Sequence, residues 1–239
     1  MFMEVERLQN FSMSTRITLT FDNGPHEAVT PAVLDVLARH EVRSTFFVLG
    51  KYLEQPHARE ILDRVAAQGH WIGNHTYSHT IPLGLCEDPH APELEIGRTQ
   101  SLIAPWVHPD RLFRPFGGGG RLGPHLLSEA TRDYLVAERY TCVLWNAIPR
   151  DWADPEGWVD TALEQCRTQD WSLMVLHDYD TGAMRHLDRF IEQVRREGFE
   201  FCQDFPPECV PLRAGQAQPG LEACVSRANG SSDTRSIMA

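Results

Sequence analysis

A chain of 239 residues with 42% hydrophobic content is long enough to bury one sizeable core and does not demand a second domain. Its formal charge of −11, with no run of Lys or Arg, argues against a nucleic-acid footprint and against an anionic membrane surface as partner. No window approaches the roughly 18 apolar residues of a membrane span, and Met1–Thr15 lacks the basic-then-apolar pattern of a signal peptide. The six cysteines contain no CxxC pair and read as free thiols, so a cytoplasmic location is expected.

Residues 1–15 read as an N-terminal extension. Arg16–Phe21 then alternates like a strand and stops at the turn signal Asn23-Gly24-Pro25. Thr30–His40 has Pro31 at a helix start and apolar residues at helical spacing. Thr45–Val48 is strand-like, His57–Gln68 helical with Gly69 as its stop, and His70–Gly73 the next short strand. A helix is expected around Glu93–Ala104, a strand at Arg111–Arg114 and a helix near His125–Thr131. Strand-like Tyr134–Val136 and Cys142–Trp145 come next. Helix Glu156–Thr168, strand Ser172–Leu176, helix Met184–Arg196 and strand Phe199–Phe201 complete the rhythm. Such alternation predicts an α/β fold on a parallel sheet, open or closed into a barrel, over residues 16–212. From Arg213 the composition turns to Ala, Gly, Gln, Ser and Asn, so 213–239 is expected to be a flexible tail.

In parallel α/β folds, chemistry collects where strands end. Thr20–Pro25, His75–His79, Arg114–Gly117 and Leu176–Asp178 all follow predicted strands and together bring a carboxylate, three imidazoles and a guanidinium. His75 and His79, four apart, can reach one metal from a turn or tight loop. Taken singly, each has a plainer reading: Asp22 as a cap or turn residue, Arg114 as a surface cation, His177 as a core histidine. Four such segments at successive strand ends are a different matter.

Together these segments resemble the motifs of the polysaccharide deacetylases, carbohydrate esterase family 4. Thr20-Phe21-Asp22-Asn23-Gly24-Pro25 matches the family's Thr-Phe-Asp-Asp-Gly-Pro except at Asn23, and His75-Thr76-Tyr77-Ser78-His79 matches His-(Ser/Thr)-x-x-His in full. Arg114-Pro115-Phe116-Gly117, Asp151-Trp152 and Val175-Leu176-His177 are similar to the three later motifs, in the family's order. The resemblance implies an irregular (β/α) barrel and a metal-assisted hydrolase removing an N-acyl group, acetyl by preference, from an amino sugar or related small amide. It implies Asp22 as general base paired with Arg114, and His177 as general acid held by Asp151. A divalent metal, with zinc expected, would be held by His75, His79 and Asn23. Trp152, Phe116, Gly117 and Val175 would wall the substrate groove.

Three departures from the family pattern stand out. Asn23 replaces an Asp ligand and supplies no charge, so weaker metal binding is expected. The third motif ends in Phe116 and four glycines, which leaves open whether Phe116 or Gly117 stands for the family's aromatic residue. Ile148 stands where the fourth motif often carries an acid. Without secretion features, a soluble oligosaccharide or another small amide is favoured over a cell-wall polymer. Two rival readings remain: a metal-independent cyclic amide hydrolase of the allantoinase type, and a catalytically silent carbohydrate-binding member.

Overall fold

The computed structural model describes residues 15–227. Its strands in chain order are β1 (Arg16–Asp22), β2 (Thr45–Val48), β3 (Trp71–Asn74), β4 (Leu112–Phe113), β5 (Leu127–Ser128), β6 (Thr141–Cys142), β7 (Trp171–His177), β8 (Glu200–Cys202), β9 (Leu212–Arg213), β10 (Gln216–Ala217) and β11 (Val225–Ser226). The helices are α1 (Val29–Arg39), α2 (Ala58–Ala67), α3 (Arg98–Leu102), α4 (Glu129–Ala137), α5 (Trp158–Arg167) and α6 (Leu187–Arg196).

β1 is buried along all but its first residue, as a strand covered on both faces must be. It pairs in parallel with β7 over its whole length. Its other edge is shared, with β2 along the C-terminal half and β8 along the N-terminal half. The sheet continues through β3, β4 and β6, all parallel, and ends on the antiparallel pair β9 and β10. Beyond β6 the chain bends back to β7: Ala147 bridges Met174 in parallel, and its carbonyl accepts the Val175 N–H at 3.0 Å. The sheet thereby curls into an irregular (β/α) barrel.

The pleat decides which side chains go where. In β2, Phe46 joins Ile17, Leu19 and Phe21 of β1 beneath the helices, whereas its neighbour Phe47 turns to the inner cluster with Leu112, Val143 and Leu173. On α6, Leu187, Phe190, Ile191 and Val194 recur at helical spacing and are all buried. Each such side chain contributes about 1.5–3 kcal/mol when buried.

Two expectations about elements need correction. Tyr134–Val136 is not a strand but the last part of α4, and the helix expected at His125–Thr131 starts only at Glu129, after the short strand β5. The aromatic and β-branched residues of that stretch suit a strand. However, Ser128 caps the helix by accepting the Thr131 N–H at 3.1 Å, and Thr131 and Leu135 bury one helical face.

The flexible tail expected from Arg213 is likewise corrected for residues 213–227. β11 pairs in parallel with β5, and Leu221, Cys224 and Val225 are buried in a second core with Leu126, Leu127 and Leu135. Three well-spaced apolar side chains suffice to fix this segment, because the core already offers them a seam. Residues 228–239 and 1–14 lie outside the described residues.

Candidate active site

Parallel pairing brings the expected segments to one end of the barrel. Asp22 and His177 are direct register partners at the C-terminal ends of β1 and β7. Asn74 of β3 pairs with Phe113 of β4, so His75 and Arg114 emerge side by side one residue later. Asp22, Asn23, His75, His79 and His177 line one cavity of about 280 Å³, walled by Phe116, Gly117, Trp145, Trp152, Val175 and Tyr179. Every site residue expected from the sequence is brought here, with Arg114 and Asp151 directly behind the lining.

Arg114 is fully buried and has a partner on each of its nitrogens. Nη1 donates to Asp22 Oδ1 at 2.9 Å and to Thr20 Oγ1 at 2.6 Å, while Nε and Nη2 donate to the carbonyls of Val143 and Leu144 at 3.2 and 3.1 Å. A planar donor fork anchored this way can only face Asp22 in one orientation. Burial works against the Asp22 carboxylate, but the charges of Arg114, His75 and His177 outweigh it and bring its pKa below 3.8. Asp22 is therefore an ionised acceptor at neutral pH.

His177 has the opposite character. Asp151, itself fully buried, accepts from His177 Nδ1 at 2.8 Å and from its backbone N–H at 2.9 Å. Burial disfavours the imidazolium, yet the hydrogen bond and charge of Asp151, with Asp22 behind it, raise the His177 pKa above 6.5. Trp152 meets the His177 ring edge-on at 4.8 Å.

His75 points Nδ1 at the Arg114 carbonyl, 2.8 Å away, which leaves Nε2 toward the cavity, 3.6 Å from Asp22 Oδ2. That arrangement fixes the tautomer whose free nitrogen can bind a cation. The His79 ring lies 5.1 Å from that of His75 and stacks on Phe116 at 3.9 Å. Burial, and next the neighbouring His75, push the His79 pKa down to about 3, so its ring is neutral, as a ligand must be.

Among the described residues no three His, Cys, Asp or Glu side chains form a metal-ligand group. The third donor here is of another kind. Asn23 sits at φ +77°, and its Oδ1 is buried without a hydrogen-bond partner among the described residues. An orphaned amide oxygen lining the same cavity as two neutral imidazoles fits a divalent cation, with no anionic ligand in the set.

Sequence reasoning missed several residues of this region. Thr20 stands in the first motif, and its hydroxyl donates to the Met174 carbonyl at 2.7 Å while accepting from Arg114. Trp145 donates from Nε1 to the Gly120 carbonyl at 2.7 Å and so ties the glycine turn to the cavity wall. Gly120 has φ +91°, and a Cβ there would stand 2.7 Å from Ile148 Cδ1. Two departures from the family pattern are thus packed on each other. Their adjacency had no signal in the sequence.

The family profile described as polysaccharide deacetylase matches residues 12–131. A chitooligosaccharide deacetylase of Bradyrhizobium sp. (strain ANU 289) is 34% identical over 203 residues, covering 77% of this chain and 86% of that relative. This chain belongs to the polysaccharide deacetylase family. As such a deacetylase it is a hydrolase of non-peptide carbon–nitrogen amide bonds.

Among the solved structures that match, two illustrate the shared polysaccharide deacetylase barrel. A peptidoglycan N-acetylglucosamine deacetylase in complex with a hydroxamate, 4-naphthalen-1-yl-N-oxidanyl-benzamide, superposes with a TM-score of 0.68 at 26% identity. It covers 82% of this chain and 88% of its own. A family 4 acetyl xylan esterase from Clostridium thermocellum, in complex with a cobalt ion, gives 0.65 at 25% identity, covering 79% and 87%. Polysaccharide deacetylases depend in general on a divalent metal.

Proposed function

We propose that this protein removes the N-acetyl group of an amino sugar, in a soluble oligosaccharide, by metal-assisted hydrolysis with Asp22 as base and His177 as acid. One observation carries the reading. Register partners on two adjacent strands hold a carboxylate with a lowered pKa and an imidazole with a raised one at the rim of the same cavity. A site whose neighbours push two titratable groups apart in this way is equipped for general acid–base chemistry.

In this reading Asp22 accepts a proton from the water that attacks the acyl carbon, and Arg114 keeps the carboxylate ionised and aimed. His177 then gives its Nε2 proton to the nitrogen as the carbon–nitrogen bond breaks, releasing acetate and the free amine. Asp151 holds the imidazolium through Nδ1. Trp152 and Val175 form the apolar wall for the acyl methyl, with Phe116 and Gly117 along the sugar. Asn23 Oδ1, His75 Nε2 and the His79 ring would hold zinc, for which two imidazoles and one oxygen are a suitable set. A cation there supplies Lewis acidity toward the acyl carbonyl. The chitooligosaccharide deacetylase named above supports the amino-sugar substrate. The free cysteines, four of them buried, fit a reducing compartment and support a cytoplasmic site of action.

Metal content and acetate release from chito-oligosaccharides, measured for the wild type and Asn23→Asp, test the proposal. The expected outcome is acetate release by both and tighter metal retention by Asn23→Asp, because a charged oxygen replaces a neutral one. Negligible metal in both proteins, together with undiminished turnover, would favour the metal-independent reading and remove this one.

A further inference from the structure

Glu95 takes no part in the chemistry above, yet its carboxylate faces the loop that joins the two imidazoles. It lies on Pro92–Gly97, a segment wound as a π-helix immediately before α3. Such turns interrupt ordinary helix and recur at functional sites. Glu95 Oε2 accepts the backbone N–H groups of both Tyr77 and Ser78, at 3.0 and 2.8 Å, and Oε1 accepts the Ser78 hydroxyl at 2.7 Å. One side chain on another element thus serves two consecutive amides in the middle of the His75–His79 loop.

That loop needs holding. Thr76 has φ +72° and His79 φ +55°, and positive φ is a genuine outlier for a β-branched residue. Residues held in such regions are strained and persist only where their surroundings over-determine them.

The other main-chain groups of Thr76, Tyr77 and Ser78 bond to Asn74 at the end of β3 and to Gly50 and Lys51. The Thr76 N–H donates to Asn74 Oδ1 at 3.0 Å, and its carbonyl accepts the Gly50 N–H at 3.0 Å. The Tyr77 carbonyl accepts the Lys51 N–H at 3.1 Å, and that of Ser78 accepts Lys51 Nζ at 3.1 Å. Only the Tyr77 and Ser78 amides look to Glu95.

We propose that Glu95 is a positioning residue for the metal-holding pair. By clamping the Tyr77 and Ser78 amides it keeps the strained loop in the one conformation that turns His79 back toward His75 and against Phe116. The proposal rests on the reading of His75 and His79 as metal-holding residues. A carboxylate suits the task because it has only acceptors to offer. Glutamine retains one acceptor oxygen for the two amides and turns a donor toward the Ser78 hydroxyl, which can accept it. Alanine retains nothing.

Cobalt(II) affinity by chelator competition, together with amide hydrogen exchange at Tyr77 and Ser78, compares wild type, Glu95→Ala and Glu95→Gln. The expected result for Glu95→Ala is cobalt affinity lower by about 10–100-fold, the usual effect of losing an outer partner of a ligand. It should also show faster exchange at those two amides, with an unchanged near-ultraviolet spectrum for the rest of the fold. Glu95→Gln should recover most of both.

Cobalt affinity in Glu95→Ala within threefold of a wild type that binds the ion would overturn the proposal. So would equal exchange at Tyr77 and Ser78 in all three proteins. A wild type that takes up no cobalt would refute the metal reading of His75 and His79, and with it this role for Glu95. The exchange data would then still tell whether the clamp itself exists. Should Glu95→Ala fail to fold, Glu95→Met, which fills the same space without a carboxylate, decides: cobalt affinity at least tenfold below wild type with faster exchange at Tyr77 and Ser78 supports the clamp, and wild-type values of both overturn it.

Discussion

Asp22 and Asn23 are neighbours in the chain with different surroundings. The Asp22 carboxylate has Arg114 at 2.9 Å and is ionised for that reason, while the side-chain Oδ1 of Asn23 has no hydrogen-bond partner among the described residues. For His177 on the neighbouring strand, the carboxylate of Asp151 does what Arg114 does for Asp22. The two displacements set the pH dependence. Under the proposed mechanism turnover needs Asp22 ionised, which holds above a pKa that lies below 3.8, and His177 protonated, which holds below a pKa that lies above 6.5. Activity is therefore lost on the alkaline side as His177 gives up its proton. In Asp151→Asn the ring loses its anionic partner, so its pKa falls. The alkaline limb of a kcat/KM profile should move to lower pH while the acid limb, set by Asp22, stays in place. An alkaline limb that does not move would remove His177 as the titrating acid.

At the scale of elements, the short motifs were legible because each is a run of consecutive residues at a strand end, and the alternation of strand and helix patterns fixed where those ends lie. Thr20–Pro25 and Val175–His177 could each be placed at a strand end, but that those ends are adjacent came only from the pairing of β1 with β7. Patterns of sequence misjudged α4. Its residues Tyr134–Val136 favour strands by composition, but a capped N-terminus and one buried face prevail over propensity. Ser128→Ala removes that cap and should destabilise the protein by about 1 kcal/mol in a denaturant titration, with no change in KM, since α4 is not among the cavity's walls. Glu95 was illegible for a related reason. On its own helix it is one more acidic residue, and its partners are main-chain amides 17 and 18 positions earlier, which no side-chain pattern reports.

The whole molecule closes through contacts distant in sequence. β11 returns to pair with β5 about one hundred residues earlier, and Leu221 fills the seam beneath it. Leu221→Ala should cost about 2–5 kcal/mol and lower the midpoint of urea unfolding, which would place residues 213–227 within the cooperative unit. An unchanged midpoint would mean that this segment docks without stabilising the barrel. The sequence by itself determined the family, through that resemblance the barrel, and most of the groups that meet in the cavity, because the motifs are written in local runs of residues. Tertiary structure alone decided which of these groups are charged and which are orphaned, how the glycine turn meets Ile148, and that the C-terminal segment belongs to the core. The physical reason is that pKa, burial and hydrogen-bond satisfaction depend on neighbours in space, and these come from strands and loops far apart along the chain.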